Sequence, residues 1–304
     1  MLGEIFYWIF NMSIAASLCG LAVLLIRRTK RIPRRVAVWL WLIPFIRTCV
    51  PVGISGKYGL MSFISRFTTK TVTIYPITGD TALTMMNSVM GANGYFPITY
   101  KVDLLEDVFM VGGWVWVTVG AALVLAFGII YAVTLREIKD ATHLRGNVYL
   151  SDKIRVPAVY GIVRPRIVLP DGYEDRDLTY ILLHENTHIR RRDNLWRAVA
   201  FFLVCIHWFN PLCWLFLKLL CTDMELACDE TVLSKCDESG RRAYAHALVS
   251  TVEKTNVFAS AFGGAKIRLR IENILSYKKM TAVSIVGFTA LFAVIAYVLL
   301  TNAA

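Results

Sequence analysis

Apolar residues in this chain come in long runs rather than in short alternations, and the runs set the first expectation. Residues 5–26, "IFYWIFNMSIAASLCGLAVLLI", are continuous enough to cross a bilayer, which needs about 20 apolar residues in a helix. No positive charge precedes this run, whereas six Lys or Arg fall within 27–35. That asymmetry predicts a retained helix with its N-terminus outside, not a cleaved signal peptide. A second run, 36–52, carries Pro44 and Arg47 and should return the chain outward, with Arg47 facing protein. A third covers 108–133. A last run, 281–300, follows "YKKM" and should go from inside to outside.

Between the runs the pattern changes. Residues from about 53 to 106 mix Gly, Thr and aromatics with few charges, as an external loop would. From about 135 the chain is basic and mixed until 280, which reads as one cytosolic unit. It opens with "NVYLS" and "AVYGIVRPRIVLP", where period-two apolar residues around Gly161 and several prolines predict a hairpin at a sheet edge. Such an edge is either ordinary scaffold or a place for an extended peptide to add as a further strand. Residues 195–220 are again apolar, but Asn210 and Pro211 interrupt them. Two helical arms of about 21 Å each, folded into a re-entrant hairpin, are expected instead of one span.

Composition narrows the class. Hydrophobic residues make up 56% of 304, more than soluble domains usually carry. The net charge of +11 would suit a polyanion, but the basic residues sit beside the apolar runs, so membrane topology accounts for them and direct nucleic-acid binding is not expected. Seven cysteines without a CxxC pair read as reduced, buried packing residues in a cytosolic unit, not as a thiolate metal site.

Chemistry concentrates in "ILLHENTHIRRRDN", 181–194. Asp175 and Asp177 at the start and three arginines at the end both favour a helix dipole. On that helix His184 and His188 lie one turn apart and reach one cation, while Glu185 is placed to take a proton from a water beside it. A chance HExxH arises in on the order of one chain in a hundred of this length, so a third ligand is needed. "TDMELACDE" offers a candidate: Glu225 and Asp229 again share a helical face, either as a solvated acidic face or, favoured beside HExxH, with Glu225 as ligand and Asp229 orienting a ligand imidazole. One continuous helix from His188 would put Glu225 about 55 Å away, so the hairpin at Asn210 and Pro211 is required to return it. His207 reads as a packed or turn-capping residue, and His143 and His246 have no motif around them. Beyond Glu225, a helix-turn-helix continuation is expected. After Gly263 and Gly264, the basic stretch with Ile267, Leu269, Ile271, Ile274 and Leu275 is either an amphipathic surface helix or a packed connector.

"VPAVYGIVRPRIVLP", "LLHENTHIRRRDNLWR", "WFNPLCWL", "DMELACDETVL" and "GGAKIRLRIENIL" occur here in an order and spacing that resemble the M56 membrane metallopeptidases, the β-lactam sensor-transducers typified by the BlaR and MecR receptors. The resemblance implies a gluzincin-like Zn2+ site with His184, His188 and Glu225 as ligands and Glu185 as base. It further implies a protease that cuts a cytosolic transcriptional repressor on an envelope signal, with self-cleavage before the last span. Only Thr301 to Ala304 follow that span, where the receptors would carry a penicillin-binding sensor, so a sensorless relative or a fragment is expected.

The expectation is therefore a mainly α polytopic membrane protein of about four transmembrane helices plus the re-entrant hairpin. Residues 1–134 form the N-terminal membrane region, 135–280 a cytosolic zinc metalloprotease domain with a small β-hairpin or sheet, and 281–304 the last helix. Its partners would be the lipid bilayer, a cytosolic protein substrate and, as an open option, a second copy in a homodimer. A non-catalytic membrane receptor or adaptor with a structural zinc site is the rival. A transporter would want more polar groups within the spans than Arg47.

Overall fold

The computed structural model describes residues 2–29, 32–50, 56, 58–60, 62–63, 103–170, 175–253 and 267–301. It is mainly helical with one small sheet. The first apolar run forms α1 (Leu2–Arg28). The second does not form one helix of spanning length, as the sequence suggested, but two short ones, α2 (Arg34–Leu40) and α3 (Leu42–Cys49). Pro44 explains the break. It lacks an N–H for the carbonyl of Leu40, and its ring would collide with that carbonyl, so α2 must end at Leu40 while Pro44 sits in the first turn of α3. The third and last runs form α4 (Asp103–Glu137) and α10 (Ala282–Leu300). Among the described residues, three helices are long and apolar enough to cross a membrane: Leu2–Arg28, Asp107–Glu137 and Ala282–Leu300. Most of the expected external loop, 53–106, lies outside the described residues.

Arg47 is buried, as its depth in an apolar run demands, and Nη1 donates to the Leu300 carbonyl at 3.0 Å. Around it, α1, α3, α10 and the helix Pro211–Leu233 close a core that includes Met12, Trp41, Phe216 and Leu299. Gly20 lets α1 approach that helix: a Cβ there would lie 2.1 Å from the Phe216 ring.

After α4 come four strands, β1 (Thr142–Arg145), β2 (Val148–Leu150), β3 (Ala158–Tyr160) and β4 (Arg166–Leu169), in the order β1-β2-β4-β3. The expected β3–β4 hairpin is present, and Gly161 takes the left-handed conformation its turn needs (φ +91°). "NVYLS" supplies β2, which lies beside that hairpin. It pairs antiparallel with β1 and parallel with β4. The β1 sequence, THLR, is exposed throughout, so no alternation marked it as a strand. Ile167 and Leu169 turn inward against Ile181 and Leu182 of α5 (Asp175–Arg191), the helix bearing HExxH. Each such buried side chain stabilises by roughly 1.5–3 kcal/mol, which fixes the motif helix on the sheet.

α5 meets α6 (Asp193–Ile206) through Arg192 in a left-handed conformation (φ 56°). α6 then turns at 207–210 into α7 (Pro211–Leu233), as expected from Asn210 and Pro211. Asn210 caps α7 by accepting from the Leu212 N–H at 3.0 Å, and its Nδ2 donates to the hydroxyls of Ser13 and Ser17 in α1, each at 2.7 Å. His207 is buried at this turn, with Nε2 3.3 Å from the Thr48 carbonyl, in the packing role expected for it.

On α7, at about 100° per residue, Asp223 and Glu230 fall on one face and Glu225, Cys228 and Asp229 on the opposite one. The first face binds the N-terminal helices. Asp223, fully buried, accepts from Arg27 Nε at 2.5 Å and Trp41 Nε1 at 2.8 Å. Glu230 accepts from the N–H groups of Arg34 and Arg35 at 2.9 and 3.1 Å and so caps α2. The second face looks at α5. α8 (Glu238–Glu253) completes the helical continuation, and α9 (267–275) packs Ile274 against Val232, Leu233 and Tyr244, which makes this stretch a packed connector and not a surface helix.

Candidate metal centre

The fold brings His184, His188 and Glu225 together. The two Nε2 atoms are 3.1 Å apart, and Glu225 Oε2 lies 3.5 Å from each. Donors about 2.0–2.1 Å from a tetrahedral ion stand about 3.3 Å from one another, so this triangle is the right size to hold one. Both histidines are buried.

What stands behind each ring sets its tautomer. Asp193 Oδ2 lies 2.6 Å from His188 Nδ1, so that nitrogen carries the proton and Nε2 keeps its lone pair. Tyr244 donates to Asp229 Oδ1 at 2.5 Å and its oxygen lies 2.8 Å from His184 Nδ1, which makes His184 a donor on that side too. Asp229 thus reaches His184 through Tyr244 and directly, at 3.3 Å. Arg270, from α9, grips the same carboxylate with Nε at 2.8 Å and Nη2 at 2.7 Å, and its Nη2 also comes within 3.3 Å of His184 Nε2. Arg197 pairs with Glu225 Oε1, leaving Oε2 to the histidines.

Cys228 is the residue that the sequence reading set aside. Fully buried, its thiol donates to the His184 carbonyl at 3.4 Å, and with His184 and His188 it forms a group whose donor atoms all lie within 4.8 Å of one another. The centre therefore has a fourth candidate donor beneath the histidines, while Glu225, one-third exposed, faces the cleft.

The electrostatics agree with a cation site. Burial pushes the charged form of His184 down, but the negative field of Cys228 and the contact with Glu225 outweigh it, and its pKa rises to about 10. Burial likewise opposes ionisation of Glu225 and Cys228, yet the two imidazoles bring both below their ordinary values. The donors as a set favour a positive charge among them. Glu185 behaves differently: burial lifts its carboxyl above the usual carboxylate range, with the fields of His184 and His188 opposing.

A cleft of about 270 Å³ opens on this centre, walled by Glu185, His184, His188, Glu225, Arg270 and the edge strand β3. β3 is an edge, as expected, but Asn194 Nδ2 donates to the carbonyls of Val159 and Gly161 at 2.8 and 3.2 Å, so those positions are already covered. Sequence reasoning missed Asp193, Tyr244, Arg270 and Cys228. Asp193 stood inside the quoted motif, five residues beyond His188, and Cys228 between Glu225 and Asp229; Tyr244 and Arg270 had no local signal.

Similarity to known proteins bears on its family. The chain is 30% identical over 138 residues to the regulatory protein BlaR1 of Bacillus licheniformis, covering 42% of this chain and 23% of that one. It is 28% identical over 141 residues to the methicillin resistance mecR1 protein of Staphylococcus aureus (43% and 24%) and 26% over 161 residues to the regulatory protein BlaR1 of S. aureus (48% and 28%). Each match thus spans about a quarter of the relative's length. The family model for BlaR1 peptidase M56 fits residues 7–274, from α1 through the helix that carries Arg270, and the chain belongs to this metallopeptidase family.

Proposed function

We propose that the protein is an integral-membrane zinc endopeptidase that relays an envelope signal, such as the presence of a β-lactam, by cutting a cytosolic protein, for which a transcriptional repressor is the leading candidate. The observation that carries this reading is the triangle of His184 Nε2, His188 Nε2 and Glu225 Oε2, with sides of 3.1, 3.5 and 3.5 Å, beside the cleft-lining carboxylate of Glu185. His184, His188 and Glu225 would hold the zinc, which when bound supplies a Lewis acid and an acidified water. Glu185 takes the proton of the attacking water and returns it to the leaving amine, a role suited to a carboxyl whose pKa burial has raised. Asp193 and Asp229 hold the two imidazoles in the tautomer that leaves Nε2 free. The basic segments, among them 27–35 and 190–192, support placing the metal centre on the cytosolic side, with the N-terminus outside. On this reading 1–134 is the N-terminal membrane region, 135–280 the protease and 281–304 the last span.

Cys228 supports a second reading. With both histidines it forms a three-donor group that could hold a structural zinc in a non-catalytic receptor. Full-length protein in membranes separates the two. N-terminal sequencing should find wild-type fragments cut within 259–279, part of which lies outside the described residues. Glu185→Ala should keep its zinc and give no fragments. Identical fragments from Glu185→Ala would refute the protease.

A further inference from the structure

On the far side of Asp193 from His188 lies a second, larger cavity of about 600 Å³, within the roughly 300–1,000 Å³ of small-molecule sites. One wall is α2 and α3, from Arg35 through Phe45 to Cys49. The other is α6, where Asp193, Trp196, Val199 and Leu203 form a stripe at helical spacing. The walls run in parallel. Thr48 near the end of α3 meets His207 at the end of α6, so their starts, Arg35 and Asp193, share the opposite end. Arg190 and Arg191 join them there. The cavity is therefore basic at one end and apolar along the trunk, which from Asp193 to Leu203 measures about 15 Å, one leaflet of a roughly 30 Å hydrocarbon core.

The basic end has unspent capacity. Arg35, Arg190 and Arg191 line this end together with one carboxylate, Asp193, which already serves His188 and, at 3.3 Å, Arg191, while Arg35 Nη2 donates to the Glu230 carbonyl. Nε of Arg35 is buried with no acceptor among the described residues, and Arg190 is exposed. At the mouth Trp39 and Trp196 remain 58% and 43% exposed, the amphipathic rings that favour a membrane–water interface.

We infer that this cavity binds one anionic phospholipid, its phosphate held by Arg35, Arg190 and Arg191 and an acyl chain lying along α3 and α6. The inference rests on the reading that the apolar helices lie in a bilayer. Because Arg191 also contacts Asp193, the headgroup would sit one residue from the carboxylate that orients His188.

Native mass spectrometry of the full chain, purified in mild detergent and stripped of lipid, tests this with added phosphatidylglycerol. The expected result is one phosphatidylglycerol retained per chain, with phosphatidylcholine retained far less. Arg190→Gln should weaken retention about fivefold, the worth of one cation at a lipid surface. Val199→Trp and Leu203→Trp should block the trunk and abolish it, with unfolding temperatures showing that both variants are folded. Equal retention of the two lipids, competition by inorganic phosphate without acyl chains, or a second protein copy in place of lipid would overturn the site. Alkaline carbonate extraction of membranes separates the failures. Protein released by carbonate refutes the bilayer reading, whereas integrated protein that retains no phosphatidylglycerol refutes this site alone.

Discussion

Asp193 Oδ2 lies 2.6 Å from His188 Nδ1, although the two residues belong to different helices. The left-handed Arg192 between them turns the chain sharply enough for the first residue of α6 to reach back to the last turn of α5. Removing the carboxylate should therefore act on metal affinity before it acts on folding. Asp193→Ala is expected to lower zinc affinity 10–100-fold, read as faster zinc loss to a chelator, with Asp193→Asn milder because its amide oxygen still accepts the proton of Nδ1.

Glu225 and Cys228 compete for the third-ligand role, and zinc content separates them. Glu225→Ala should purify with little zinc, and Cys228→Ser should keep a full equivalent. The reverse pattern would assign the thiolate as ligand and return Glu225 to a partner of Arg197.

Arg270 neutralises Asp229 in a buried pair, its side chain 18% exposed and that of Asp229 fully enclosed. Breaking such a pair leaves a charge without compensation, at a cost of about 3–5 kcal/mol. A marked fall in unfolding temperature is expected for Arg270→Ala, and substantial recovery in Arg270→Ala with Asp229→Asn. If the double variant is no more stable than the single, the pair does not carry that energy.

At Gly20 a methyl group would run into the Phe216 ring. Gly20→Ala should destabilise by about 1–3 kcal/mol, and Phe216→Leu in the same chain should relieve part of it. Independent, additive effects in the double variant would argue against the α1–α7 contact.

What the sequence made legible followed from strong local signals. HExxH, the acidic pair Glu225 and Asp229, and the Asn210–Pro211 break each report a short-range rule; the chain does turn at 207–210, and His184, His188 and Glu225 do come within 3.5 Å of one another. The second apolar run misled because hydropathy sums over Pro44 without registering that its ring ends a helix one turn earlier. β1 was invisible since its four side chains are exposed and carry no alternation. Arg270 and Tyr244 reach the centre across 86 and 60 residues from His184, and no local pattern encodes a tertiary neighbour. Cys228 was present in the acidic motif, but a lone thiol reads as packing until the histidines are seen above it.

The opposed faces of α7 have a mechanical consequence. Asp223 and Glu230 clamp the N-terminal helices, while Glu225, Cys228 and Asp229 face the histidines. Over this length a helix is close to a stiff rod, so a small rotation imposed by α1 or α2 reaches Glu225 as the same rotation, with no flexible loop between to absorb it. A turn of about 20° would swing a side-chain terminus by a couple of ångströms, enough to open a donor triangle only 3.5 Å on a side. The link between the N-terminal helices and the candidate metal centre is a single piece of secondary structure.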